Sequence, residues 1–286
     1  MPRYLLNHSF LQRVGVIVIA LTIALSTPLH ADVLVSPLRV YLDSDQRTAT
    51  VTLRNPSNGP RTYRLEWLEQ KMAENGAYVA YSKEELKQHA AASPYLRLSP
   101  RQITVPAQGN QLVRIHYRPN NNMSAGEYRS HLLFRIVPEL SEPHSVSEID
   151  GGEGITLKLN MQLSIAIPIV VRHQITEPPN VTISEVKPIL PTTQGERAQL
   201  AITLKRSGLG GSIGRVVVEM QRSPNSPVQR IGLSDNVSVY ADMHQRRLVL
   251  NLNEASIPNG AWLRIAYEGI DEYSGRLWNQ QIFQVR

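Results

Sequence analysis

From Ile155 to Ile169 an apolar side chain occupies every second position: Ile155, Leu157, Leu159, Met161, Leu163, Ile165, Ile167 and Ile169. Thr156, Lys158, Asn160, Gln162, Ser164 and Ala166 fall between them. Successive side chains of a strand point to opposite faces, so this period of two predicts a strand with one oily and one wet face. With Val170, Val171 and Arg172 it spans residues 155–172, far beyond the usual length of about 5–6 residues. A strand of that length either crosses a large sheet or projects past its own domain. Periodicity alone fits an ordinary core strand as well as one offered to a partner.

The first residues bound where the chain goes. Arg3 and Arg13 precede an uncharged run from Val14 to Leu25, followed by Ser26-Thr-Pro-Leu-His-Ala31. A basic start, a short apolar run and a small residue at the cleavage point predict a secretory signal peptide over residues 1–31. The run is too short to span a bilayer, which takes about 20 residues. Cleavage after Ala31 would leave a mature chain beginning at Asp32, exported and with no membrane insertion. Loss of Arg3 and Arg13 lowers the net charge from +6 to +4. The basic residues are scattered, without dense runs or aromatic interleaving, which argues against nucleic acid as a partner. There is no cysteine, so zinc–thiolate, iron–sulfur and thiol chemistry are excluded and the exported fold is held by packing alone.

Taken in order, the chain shows short alternating runs with turn punctuation. Asp32–Leu42 reads as a strand interrupted by Pro37, which places it at an edge or a bulge. Arg47–Leu53 alternates and ends in the turn cluster Asn55-Pro-Ser-Asn-Gly-Pro60. Thr62–Leu68 puts Tyr63, Leu65 and Trp67 on one face. Ser82 and Glu85 form a capping box that opens a short helix through Ala92, an insertion on a β scaffold. Runs at 95–106, 110–117 and 127–136 follow, then the acidic loop 138–154, and then the long alternating stretch. Seven further strands are expected at 181–184, 199–204, 214–220, 237–240, 247–252, 262–267 and 280–285, beyond a hinge at Pro178-Pro179. The prediction is all-β, two β-sandwiches in tandem, divided as 32–175 and 176–286.

Six segments carry a family resemblance: Ser36-Pro-Leu-Arg-Val-Tyr41, Arg47-Thr-Ala-Thr-Val-Thr-Leu-Arg-Asn55, Leu65-Glu-Trp67, Leu98-Ser-Pro-Arg-Gln102, Gln111-Leu-Val-Arg-Ile115 and Glu127-Tyr-Arg-Ser-His-Leu-Leu-Phe134. In this order, behind a signal peptide and followed by a long alternating strand, the chain resembles the periplasmic pilus chaperones. These are the PapD-like family of two immunoglobulin-like domains, and the chain is nearer the non-classical branch. The resemblance implies a periplasmic, cofactor-free chaperone for pilus or fimbrial subunits. Such a protein lends its long strand to a subunit lacking one (donor-strand complementation) and passes the complex to an outer-membrane usher. The lending residues would be Leu157, Leu159, Met161, Leu163 and Ile165. Self-association is open to the chain when no client is bound.

The resemblance also implies a basic anchor for the subunit's C-terminal carboxylate, an Arg on the first strand and a Lys late on the long strand. Arg39 occupies the first position; Pro168 occupies the second, so the lysine is absent. Arg114, Arg172 and Lys158 are the remaining candidates, and a guanidinium fork suits a carboxylate. No catalytic constellation is present: the histidines lack metal-ligand spacing, and neither a nucleophile elbow nor a phosphate loop occurs. No enzyme activity, metal or cofactor is expected. The alternative is a secreted structural or adhesive sandwich protein, a pilus subunit or a carbohydrate binder; it would carry its donor segment at the mature N-terminus instead of internally.

Overall fold

The computed structural model describes residues 33–138, 164–189 and 196–285. The expected presequence, the acidic loop beyond Pro138, and residues 155–163 of the alternating stretch lie outside the described residues. Within them no helix is long and apolar enough to cross a membrane.

The first half is built from β1 (Leu34–Ser36), β2 (Val40–Leu42), β3 (Thr48–Arg54), β4 (Arg61–Leu68), β5 (Gln70–Met72), β6 (Tyr78–Ala80), helix α1 (Lys83–Gln88), β7 (Leu96–Ser99), β8 (Gln102–Val105), β9 (Asn110–Tyr117), β10 (Gly126–Ile136) and β11 (Ile165–His173). Two sheets, ordered β1-β3-β9-β7 and β2-β11-β10-β4-β8, face each other. Alternation decides what lies between them. Val51, Leu53, Val113 and Ile115 come from one sheet, and Leu42, Tyr63, Leu132, Phe134, Ile167 and Ile169 from the other. Pairing is antiparallel except that β2 runs parallel to β11, Val40 opposite Ile169.

The second half repeats the plan with β12 (Asn180–Ile189), β13 (Gln199–Ser207), β14 (Ser212–Gln221), β15 (Gln229–Val239), β16 (Gln245–Asn251), β17 (Trp262–Gly269) and β18 (Leu277–Gln284). The sheet β12-β13-β16 packs on β15-β14-β17-β18 around a separate core that includes Leu204, Val216, Val218, Leu252, Ile265 and Tyr267. The architecture is therefore all-β, two immunoglobulin-like sandwiches in tandem.

Several elements differ from expectation for identifiable reasons. The single run expected at 95–106 is two strands in two different sheets, β7 and β8. Pro100 lies between them and has no N–H with which to continue a ladder. The capping box is present: Ser82 Oγ accepts from Glu85 N at 3.2 Å and Glu85 Oε2 accepts from Ser82 N at 2.8 Å. The helix nevertheless stops at Gln88. His89 turns out of it into an extended conformation, where its Nε2 lies 3.0 Å from Glu69 and its ring stacks on Tyr81. The hairpin β5–β6 escapes the sequence reading altogether. Strands of three residues with no fully buried position carry no periodic signal.

Candidate binding cleft between the sandwiches

The strands that bury one face in the first core turn the other face toward the second sandwich. On β2, Val40 and Leu42 are buried in the first core, which leaves Arg39 and Tyr41 on the opposite face. On β11, Ile167, Ile169 and Val171 join that core, leaving Pro168, Val170 and Arg172 outward. On β10, Leu132 and Phe134 point inward, while Glu127, Arg129 and His131 point out. One side of a single sheet thus presents three arginines, a carboxylate, a tyrosine and a histidine to the cleft.

Arg39 reaches across it. Its guanidinium donates to Ser238 Oγ at 3.2 Å and lies 3.5 Å from Asp271, both from the second sandwich. The side chain is 14% exposed. Its Nε is buried without a hydrogen-bond partner among the described residues. Burial alone would lower the Arg39 pKa, but the neighbouring oxygens of Tyr240 and Tyr41 outweigh it and the net direction is up. The group stays cationic.

Arg172 is differently placed. It donates to Glu127 at 3.2 Å and to Glu272 at 2.9 Å, and its guanidinium lies over the rings of Tyr41 and Tyr273 at 4.4 and 5.0 Å. Burial would lower its pKa, and the two carboxylates with Tyr273 overcome that, raising it. Arg114 is exposed on β9, between the buried Val113 and Ile115, so it projects from the outer face of the other sheet. Pro168 stands opposite His131 in the β10–β11 ladder. Of the apolar residues expected to serve a partner, Leu157, Leu159, Met161 and Leu163 lie outside the described residues. Ile165 is half-buried at the start of β11, opposite Phe134, and packs against the first core.

The sequence reading passed over Glu127, Arg129 and His131. The signal was present, because a period of two in Glu127–Phe134 sets these polar groups on one face. Arg129 binds Asp242 at 2.6 Å and stacks on the Tyr240 ring at 3.8 Å, a charged and aromatic contact between the halves. The β5–β6 hairpin adds a second tie. Glu74 at its tip accepts from Arg247 N at 2.7 Å and from Arg246 at 3.0 Å through its carbonyl, and its carboxylate accepts from Gln245 at 2.7 Å. Gly76, at φ +90°, has the Arg246 guanidinium where a Cβ would stand, so only glycine fits that turn. Behind the hairpin a hollow of about 560 Å³ is lined by Lys71, Tyr81, His89, Arg129, Tyr240 and Asp242 among others. Among the described residues, no cluster of His, Asp and Glu could hold a metal ion.

His131 is 2% exposed with the edge of the Tyr78 ring against it at 4.9 Å. Burial, and then the nearby Arg129 charge, push its pKa down to about 4, against smaller opposing effects of Glu69 and Asp242. The folded state holds it neutral, while the unfolded chain takes up the proton near pH 6.5. Its contribution is complete above that pH and is lost as the pH falls toward 4, on the order of 3 kcal/mol. Urea unfolding from pH 7 to 4 should show this slope flattened in His131→Phe; equal slopes would remove His131 from the account.

No family model matches this chain, and no curated relative matches it. Solved structures similar in outline include the Pseudomonas aeruginosa CupB2 chaperone, 14% identical over 88% of this chain and 100% of that one, TM-score 0.45. Another is the Salmonella enterica SafB chaperone in complex with SafA pilin, 14% identical over 91% and 99%, TM-score 0.46. A third is the CsuC–CsuE chaperone–tip adhesion subunit complex of Acinetobacter baumannii, 13% identical over 89% and 98%, TM-score 0.44. Scores of this size do not equate two folds, and the likeness carries no argument about what the chain does.

Proposed function

We propose that the chain is a periplasmic chaperone for pilus or fimbrial subunits that acts by strand donation, needs no cofactor, and delivers its client to an outer-membrane usher. It would be divided into sandwiches at 32–175 and 176–286. One observation carries the reading: the apolar alternation of β11 continues upstream in sequence through Leu163, Met161, Leu159 and Leu157. The base of that run is fixed, because β11 is paired on both sides, to β10 and to β2. A subunit lacking one strand exposes its core together with unpaired backbone groups, which makes it prone to aggregate. A lent strand supplies hydrogen bonds and apolar fillers at once. Burial of Leu157, Leu159, Met161 and Leu163 would contribute about 6–12 kcal/mol gross, less the costs of ordering and association. That is enough to hold a client and small enough to allow later exchange.

Arg39 is the anchor this reading selects for the client's C-terminal carboxylate. Arg172 has two carboxylate partners, Glu127 and Glu272, against the single longer contact of Arg39 with Asp271 at 3.5 Å, and Arg114 lies on the outer face of the other sheet. Replacing Leu159 and Met161 together by Glu should abolish co-purification of subunits from periplasm while the chaperone stays folded. Arg39→Ala should weaken capture. Undiminished co-purification with the double Glu variant would refute strand donation.

A further inference from the structure

The sheet β1-β3-β9-β7 covers the side of the first sandwich opposite the cleft. Val51, Leu53, Val113 and Ile115 fill the core from β3 and β9, so the alternate positions of these strands point away from it. Arg54, Arg97 and Arg114, scattered in sequence, come together on that outer face. Arg114 pairs with Thr50, Asn110 with Arg54, and Arg97 with His116. Arg114 is therefore about 8 Å from Arg97 and about 14 Å from Arg54 along the sheet. No outward position of the four strands holds Asp or Glu.

The arginine side chains are also free of acidic partners. Among the described residues those of Arg54 and Arg114 form no ion pair or hydrogen bond, and Arg97 donates only to the carbonyls of Pro94 and Leu96, at 3.3 and 3.0 Å. At the rim, Asp43 and Asp45 stand in the turn before β3 and are matched by Arg47 and Arg118. The outer face of the second sandwich is built differently: Arg215 pairs with Glu268 at 3.2 Å and Arg264 with Glu219 at 2.9 Å. There the charges cancel locally; on the first sandwich a positive potential extends over the whole sheet. Two large apolar side chains share that face, Leu34 at 50% and Leu112 at 53% exposed.

We propose that this face docks on a bilayer containing anionic lipid, with the arginines on headgroup phosphates and Leu34 and Leu112 at the acyl boundary. A guanidinium fork suits a phosphate as well as it suits a carboxylate. Arginines and leucines at one level on a sheet surface match a plane of headgroups, which imposes no register on them. At about fivefold per arginine the three contribute about a hundredfold in partitioning, a contact that salt reverses. Docking on this side leaves the cleft and Arg39 open. The inference goes beyond the chaperone reading and does not depend on it.

The test is co-sedimentation of the mature protein, from Asp32 onward, with vesicles of equimolar phosphatidylglycerol and phosphatidylcholine. Binding should appear at low ionic strength, vanish on adding salt, and be absent with phosphatidylcholine alone. Arg54→Gln/Arg114→Gln removes no internal contact, so the fold is retained, and it should bind about 25-fold more weakly. Arg215→Gln/Arg264→Gln removes the same charge from the paired face and should stay within about twofold of wild type. Absence of binding to the anionic vesicles, undiminished binding by Arg54→Gln/Arg114→Gln, or equal losses in the two double variants would overturn the docking face. Capture of soluble polyglutamate through Arg54 and Arg114, without vesicle binding, would overturn the bilayer and assign the face to an acidic protein.

Discussion

Glu127→Ala is expected to lower stability by about 3–5 kcal/mol, the cost of removing one partner from a buried ion pair. The carboxylate is 2% exposed and pairs with Arg172. The same Oε2 accepts the Gly211 N–H from the second sandwich at 3.0 Å. A Cβ at Gly211 would come within 2.6 Å of Glu127 Oε1, so the approach is close enough to exclude a larger residue there. Truncation strands a buried N–H and leaves Arg172 with Glu272 alone, at the seam between two cores that share no side chain. Glu127→Gln should recover part of the loss, because an amide oxygen can still accept from Gly211 while the charge is gone. Urea midpoints of the three proteins measure the series. A loss under about 1 kcal/mol in the Ala variant would place this contact with exposed ion pairs that contribute little.

Asn55→Asp is expected to cost about 3 kcal/mol or more, exceeding Asn55→Ala, although it changes one atom type. Asn55 is fully buried and organises the turn that follows β3. Its Nδ2 donates to the carbonyls of Gly59 at 2.7 Å, Pro106 at 3.1 Å and Val105 at 3.2 Å. Its Oδ1 accepts from Ser57 N at 3.0 Å and Ser57 Oγ at 2.6 Å. A carboxylate keeps the second set and turns an acceptor toward three carbonyls, burying a charge with no cation in contact. Protonation restores one donor, so Asn55→Asp should regain stability as the pH falls, opposite in sign to the slope assigned to His131. Thermal unfolding at two pH values checks both magnitude and direction. An Asp variant as stable as wild type would mean that the turn does not depend on this amide.

Strands with a clean period of two were legible to within a residue or two. Asn110–Tyr117 coincides with its expected bounds, Gly126–Ile136 differs at one end, and Thr48–Arg54 is displaced by one residue at both. What escaped was information that no local pattern holds. Residues 229–235 of β15 were not among the expected strands; their pairing to β14 runs through two irregularities of register, and only part of the strand faces the core. The cleft was half legible. Arg39 was identified by position in a motif, while its companions Tyr78, Tyr240, Ser238 and Asp271 come from a short hairpin and from the other sandwich, far along the chain. Alternation reveals which face a residue occupies; it does not reveal what comes to lie across from that face.

The parallel bond between β2 and β11 also dictates a timetable. Val40 pairs with Ile169, so β2 has its sheet neighbour only after more than a hundred further residues have emerged. Closing so long a loop is entropically costly and slow. Until β11 arrives, β10 lacks one neighbour and β2 has none; Arg39 waits longer, because Ser238 and Asp271 follow later in the chain. The first sandwich therefore completes its five-stranded sheet only when β11 docks between β2 and β10. A fragment ending before Ile165 would lack the strand that joins β2 to β10.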